Sequence, residues 1–145
     1  MQYVLMLLVL VACSGTPQPP PVVPPDPNPN DELIQLSTNP APQNFIVARG
    51  QSQKLIITGR LLSPAVQKIK VSITRSPDVT TDPTELILTG NSSGEITVTV
   101  PQNASNNKPF FRVQGSALNA SNNPVTSREP SLLFQWTVPT APTVP

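Results

Sequence analysis

The chain has 145 residues, 20 of them proline, and its nine lysine and arginine residues against eight aspartate and glutamate residues leave a net charge of +1. It contains no histidine and a single cysteine. These counts exclude Ser-His-Asp and Cys-His catalysis, imidazole and multi-thiolate metal sites, and an internal disulfide. A charge near zero also argues against a nucleic-acid partner held by bulk electrostatics.

The first apolar stretch runs without interruption from Tyr3 to Ala12. It is too short to span a bilayer, which takes about 20 residues, and its length is typical of the hydrophobic region of a secretory signal. Its last residues and the cysteine that follows read Leu-Val-Ala-Cys at 10–13. This motif resembles the lipobox of bacterial lipoproteins. The resemblance implies a signal peptide over 1–12, cleavage before Cys13, and lipidation of Cys13.

The position of Cys13 supports a membrane anchor on physical grounds as well, because the only cysteine lies where apolar sequence gives way to polar sequence. Acyl chains contribute about 0.8 kcal/mol per buried methylene, so several chains would hold a soluble domain on a membrane. By the same resemblance, Ser14 in place of an aspartate implies the outer membrane or cell surface rather than the inner membrane. The alternative is that Cys13 is an incidental small residue after an uncleaved signal.

A proline-rich tether follows, so that residues 13–31 comprise the lipidated cysteine and this tether. Dense prolines exclude helices and sheet ladders and favour extended polyproline II. At ~3.1 Å per residue, the tether would hold the next domain about 50 Å from the membrane. The alternative is a PxxP ligand for an SH3-type groove. A shorter proline- and threonine-rich tail occupies 140–145.

Between tether and tail, residues 32–139 alternate between apolar and polar side chains with a period of two, which is typical of half-buried strands. For example, Ile69, Val71 and Ile73 share one face. The same alternation places Leu55 and Ile57, Phe111, and Phe134 on the apolar faces of three other segments. The sequence Gly-Asn-Ser-Ser-Gly at 90–94 predicts a hairpin between the strands that flank it. The predicted strands lie at 33–37, 44–48, 53–61, 68–74, 85–89, 95–100, 110–117 and 132–138.

Seven or eight short strands in about 110 residues predict an all-β fold, a single antiparallel Ig-like β-sandwich over 32–139. The pattern is similar to the immunoglobulin-like and fibronectin-III-like domains of bacterial surfaces. Paired core cysteines are absent, and Trp136 falls on the last strand rather than the third, which argues against an antibody-type domain. A small barrel is the alternative fold.

The domain offers no catalytic residues, no cofactor-binding motif and no dedicated metal site. Its lysines fall at outward or loop positions, where nothing would make an ammonium group a base. Asp78, Asp82 and Glu85 form the one acidic concentration, and calcium is an alternative to a solvated turn there. Lys68 and Lys70, with Arg60, are candidates for one cationic face, for which solvated strand positions are the simpler interpretation.

Four apolar residues fall on positions that the alternation turns outward: Ile56, Ile87, Phe110 and Leu133. An exposed apolar patch on a monomer marks a partner surface, unless loops cover these residues.

The sequence therefore predicts a non-enzymatic, lipid-anchored envelope protein that presents a β-sandwich for structural, adhesive or protein-binding roles. Its partners would be the membrane, through Cys13, and a protein or surface polymer. The alternative is an accessory lipoprotein subunit of a multi-protein envelope assembly, such as a secretion, pilus or phage-related machine. An enzyme is a third class, against which the missing histidine counts.

Overall fold

Short segments of alternating apolar and polar residues form eight strands in the computed structural model, which describes residues 28–139. One turn of 3-10 helix, Pro42–Asn44, lies between the first two strands. The strands are β1 (Ile34–Asn39), β2 (Gln51–Leu61), β3 (Lys68–Arg75), β4 (Thr80–Asp82), β5 (Glu85–Thr89), β6 (Ser92–Val100), β7 (Phe110–Leu118) and β8 (Ser131–Gln135).

The strands build two four-stranded antiparallel sheets. The first sheet has the order β1-β2-β6-β4, and the second sheet has the order β5-β3-β7-β8. Side chains from the inner faces of both sheets form one hydrophobic core. The predicted Ig-like β-sandwich is confirmed, and the sheets do not join into a barrel. The signal peptide, Cys13, most of the tether and the tail at 140–145 lie outside the described residues.

The register places the predicted inward residues in the core. On β2, Leu55 and Ile57 are fully buried, while Lys54, before Leu55, and Ile56, between the two, are exposed. The other long strands, β3, β6 and β7, show the same alternation. A period of two therefore identified the core face of these long strands, because successive side chains of a strand point to opposite faces of the sheet.

The hairpin predicted at 90–94 is wrong. β5 belongs to the second sheet and β6 to the first, so the chain crosses between the sheets at this point. Gly90 has a φ of +64°, and the Asn91 side-chain oxygen accepts a hydrogen bond of 2.7 Å from the Leu61 N–H. The turn residues were recognised correctly, but turn chemistry does not specify which strand a neighbour will pair with.

Two further strand predictions need correction. Residues 44–48 form no strand, because Pro40 and Pro42 remove backbone donors and the chain makes a helical turn before running on extended. The last strand, predicted over 132–138, is shorter in the structure, because β8 ends at Gln135. The three-residue strand β4 was not predicted, since it is too short to show a period.

Four aromatic side chains gather at one end of the core. Phe111 and Phe134 stack with their ring centroids 4.4 Å apart, and Phe45 meets both rings edge-on at 5.3 and 5.4 Å. The indole N–H of Trp136 donates a buried hydrogen bond of 2.9 Å to the Val47 carbonyl. The segment around Phe45 and Val47 is thereby fixed to the end of β8 without a backbone ladder.

None of the helical structure within 28–139 has the length and apolar character that crossing a membrane requires.

Candidate functional site

An apolar patch lies on the outer face of the second sheet, where β7 and β8 run side by side. Phe110 opens β7 opposite Gln135, and Arg112 lies opposite Leu133. Phe110 and Leu133 are therefore diagonal neighbours, about 7–8 Å apart between their Cα atoms. They are 37% and 50% exposed. We call these two residues the β7–β8 patch; both were predicted as outward apolar residues, and no described loop covers them.

Cationic and polar groups border the β7–β8 patch. The Arg112 side chain shares its face, and Lys108 lies in the loop that leads into β7. Among the described residues, the salt bridges join Lys54 to Glu95 and Lys70 to Glu85, so neither cation at the patch is neutralised by a carboxylate. Next to the patch is a shallow depression of about 280 Å³, lined by Lys108, Gln135, Trp136 and Thr137. The local surface is therefore apolar with a positive rim.

The other outward apolar residues lie elsewhere. Ile87 is on the far edge of the same sheet, separated from β8 by β3 and β7, and Ile56 is on the outer face of the first sheet. Ile46 and Leu62 are also exposed, although the alternation of residues did not predict it. Ile46 could have been found, because its neighbours Phe45 and Val47 alternate inward around it. The predicted apolar residues therefore contribute two, not four, to one patch.

A larger depression of about 530 Å³ lies between the first residues of β1 and of β8. Its wall is mainly polar, and Glu129 in it accepts hydrogen bonds from Gln114 and Ser116 at 2.5 and 2.6 Å. The chain enters the sandwich here, since the Arg128 N–H donates to the Asp31 carbonyl at 3.0 Å. This depression lies where the described chain begins. The lining residues are Glu32, Gln35, Leu36, Arg128, Glu129, Pro130, Ser131 and Leu132.

The acidic residues considered for calcium do not converge. The Asp78 carboxylate accepts the N–H groups of Ser105 and Asn106 at 3.3 Å each, so it caps the loop before β7. Glu85 forms its ion pair with Lys70 at 2.9 Å, and Asp82 lies in the other sheet. Over residues 28–139, no three acidic or thiol side chains come together as metal ligands.

We expect Asp78→Ala to lower the free energy of unfolding by about 1–2 kcal/mol, because two loop N–H groups lose their charged acceptor. Asp78→Asn keeps an acceptor oxygen and should lose less. Calcium and EDTA should leave the thermal midpoint unchanged in wild type and in both variants. A calcium-dependent rise in that midpoint would show that the loop holds the ion after all.

The predicted cationic face is not one face. Lys68 and Lys70 lie on the second sheet, whereas Arg60 lies on β2 of the first sheet. The ammonium group of Lys68 donates to the Asn122 side-chain oxygen at 2.7 Å, and Lys70 is paired with Glu85. These lysines therefore stabilise neighbouring loops and strands. Sequence alternation could not reveal the separation, because it assigns a face within a strand but not a sheet.

Comparison with known proteins identifies the fold alone. No protein-family model matches the sequence, and no curated protein does either. Among solved structures, the chain is similar to WR4, a C. elegans member of the MSP family, with a TM-score of 0.52 and 8% identity over 75% of this chain and 100% of the other. It is also similar to the ASH/PapD-like domain 7 of human CEP192, with a TM-score of 0.51 and 7% identity over 83% of this chain and 94% of the other. These similarities agree with the Ig-like β-sandwich seen in the structure and show nothing beyond the fold.

Proposed function

We propose that this protein is exported and lipid-anchored in the cell envelope, where it presents a non-catalytic β-sandwich that binds another protein. The anchor is Cys13, in the lipobox-like Leu-Val-Ala-Cys at 10–13. Ser14 favours the outer membrane or the cell surface. The proline-rich tether supports the same interpretation, because an extended spacer separates a displayed domain from the bilayer.

The observation that carries this proposal is the position of the β7–β8 patch relative to the chain entry. The chain enters beside the start of β8, where Arg128 binds Asp31. β8 then runs from Ser131 to Gln135, and Gln135 lies opposite Phe110. Phe110 is therefore at the end of the sandwich away from Asp31, near which the described chain begins. A domain held by its N-terminus would present this end to a partner.

The chemistry of the β7–β8 patch favours a protein partner with apolar and carboxylate side chains. Phe110 and Leu133 offer apolar area, and aromatic and arginine side chains are enriched in protein interfaces. Arg112 and Lys108 supply positive charge that no described carboxylate neutralises. A carboxylate of the partner could pair with either cation at the rim of the patch. Charges at the rim of an interface mainly increase the association rate.

The anchor is tested by fractionating cells that express the wild type or Cys13→Ser. We expect the wild type in the membrane fraction, with an N-terminal peptide that begins at an acylated Cys13 by mass spectrometry. Cys13→Ser should leave the membrane fraction, because its acyl chains are lost. A wild-type protein that is soluble and begins at another residue would refute the anchor without bearing on the patch.

The patch is tested by photo-crosslinking in the native host, with Phe110→p-benzoylphenylalanine or Leu133→p-benzoylphenylalanine. We expect both positions to give the same discrete adduct. The matched control is Ile56→p-benzoylphenylalanine, which has similar exposure on the opposite sheet and should give none. Adducts of equal yield from all three positions would contradict the patch. A heterogeneous high-mass adduct would indicate a surface polymer, and several discrete adducts from both sheets would favour the alternative, a subunit enclosed in a larger envelope assembly.

A further inference from the structure

The outer edge of β5 carries unused backbone hydrogen-bonding groups. The Gly90 N–H donates to the Gln67 carbonyl at 2.9 Å, and the Ile73 N–H donates to the Thr84 carbonyl at 3.1 Å. The N–H and C=O groups of successive residues in an antiparallel strand point to alternate sides. The even-numbered residues from 84 to 90 therefore bond to β3 or, for Gly90, to Gln67 just before it. The odd-numbered residues Glu85, Ile87 and Thr89 direct their N–H and C=O groups away from the sheet.

Nothing within residues 28–139 covers this edge. None of the backbone or side-chain hydrogen bonds of the described chain uses the N–H or C=O groups of Glu85, Ile87 or Thr89. The Ile87 side chain is 53% exposed. β5 contains neither proline nor lysine, the residues that commonly block sheet edges. By contrast, β4, an edge strand of the first sheet, is three residues long and is followed by Pro83. The β5 edge is therefore open to another strand.

We propose that the occupant of this edge is β5 of a second copy of the chain. Antiparallel pairing about a two-fold axis at Ile87 places Ile87 opposite the partner's Ile87, and Glu85 opposite the partner's Thr89. All three free-edge residues of each copy then face free-edge residues of the other, so every open N–H meets a C=O. Such self-complementarity is what a two-fold interface requires. The two second sheets become one continuous sheet of eight strands.

The outer-face side chains suit this pairing. In the central row, Ile87 packs against the partner's Ile87, and apolar cross-strand pairs stabilise a sheet. In each flanking row, Glu85 lies opposite the partner's Thr89. Because Lys68 pairs with Thr89 within each copy, the partner's Lys68 is the next residue in that row. Opposite charges from the two copies therefore share a row, and no like charges face each other directly.

The interface involves one short strand from each copy, so it belongs to the small class that gives weak association. We expect a concentration-dependent dimer rather than an obligate one. The pairing depends only on described residues and is independent of the anchor at Cys13 and of the β7–β8 patch. A dimer would present two such patches, and this would raise avidity for a repeated partner.

Sedimentation of the full chain carrying Cys13→Ser, over increasing concentration, tests the pairing. We expect a monomer–dimer equilibrium. Adding Ile87→Pro removes the central free-edge N–H from each copy but leaves the β3 ladder intact, as proline permits at a sheet edge. We expect it to weaken dimerisation about tenfold or more, because two hydrogen bonds are lost, while the cooperative melt is retained. The proposal would be overturned if the Cys13→Ser chain stayed monomeric at every concentration. It would also be overturned if adding Ile87→Pro left the dimerisation constant unchanged.

A second variant keeps the test decisive if Ile87→Pro does not fold. Ile87→Cys in the Cys13→Ser chain carries one cysteine, and a hydrogen-bonded cross-strand pair has Cα atoms about 5.5 Å apart, within disulfide range. Under mild oxidation we expect it to form a covalent dimer much faster than Ile56→Cys, whose cysteine is similarly exposed on an interior strand of the other sheet. Equal rates in the two variants would also refute the β5 pairing.

Discussion

Phe111→Ala is expected to lower the free energy of unfolding by about 3–5 kcal/mol. The Phe111 ring is fully buried and stacks on Phe134 at 4.4 Å, and the rings of Phe45 and Trp136 meet it edge-on. Removing it loses its transfer free energy and opens a cavity among rigid rings, which collapse poorly around it. Urea titration followed by Trp136 fluorescence would report the loss as a lower midpoint with an unchanged slope.

The adjacent residue is the matched control. Phe110 lies on the outer face of the same strand and is partly exposed. Phe110→Ala should therefore cost less than about 1 kcal/mol, since surface substitutions usually have small effects. Both variants replace a phenylalanine of β7 by alanine, so they differ only in the face of the sheet on which the side chain is truncated. Similar losses in the two variants would mean that Phe110 belongs to the core and is not available to a partner.

Gly59→Val is expected to destabilise the domain by about 1–3 kcal/mol through overpacking. Gly59 faces inward on β2, and a Cβ atom there would lie 2.7 Å from Ile69 Cδ1 and 3.0 Å from Leu88 Cδ1. Ile69 is itself fully buried, so it has little room to move. Valine has a higher strand propensity than glycine, but that gain does not remove the clash between the two sheets.

Thr58→Val serves as the control, because it places the same side chain one residue earlier on the exposed face. It loses one exposed hydrogen bond, 2.7 Å long, between the hydroxyl groups of Thr58 and Ser93. We expect a change within about 1 kcal/mol. Thermal melts of the two variants would separate the effects. A Gly59→Val protein as stable as Thr58→Val would show that the sheets can move apart at this point.

Much of the candidate site could be predicted from single strands. The period of two turned Phe110 and Leu133 outward and Phe111 and Phe134 inward, and the structure confirms all four assignments. That succeeded because side-chain direction in a strand is a local property. The lipidation of Cys13 rests on equally local sequence and stays a prediction.

The positions of these residues relative to one another in space could not be predicted. That Phe110 lies diagonal to Leu133 follows from the pairing of β7 with β8. That Ile87 lies on an open edge follows from the sheet order, in which no strand of the described chain lies beyond β5. Lys70 and Arg60 looked alike in sequence but lie on different sheets. None of these relations is encoded within one strand.

The amino-acid sequence by itself determined the all-β class, the inner and outer face of most strands, and the proline-rich segment before them. Only the tertiary structure decided which strands pair, that the chain crosses between sheets after β5, and that residues 44–48 pack on Trp136 without forming a ladder. The physical reason is that face assignment depends on neighbours two residues apart, whereas pairing depends on residues far apart in the chain. β2, for example, finds its partner β6 with Gln51 opposite Val100. Strand pairing is therefore decided by the burial of the whole core, to which all the strands contribute together.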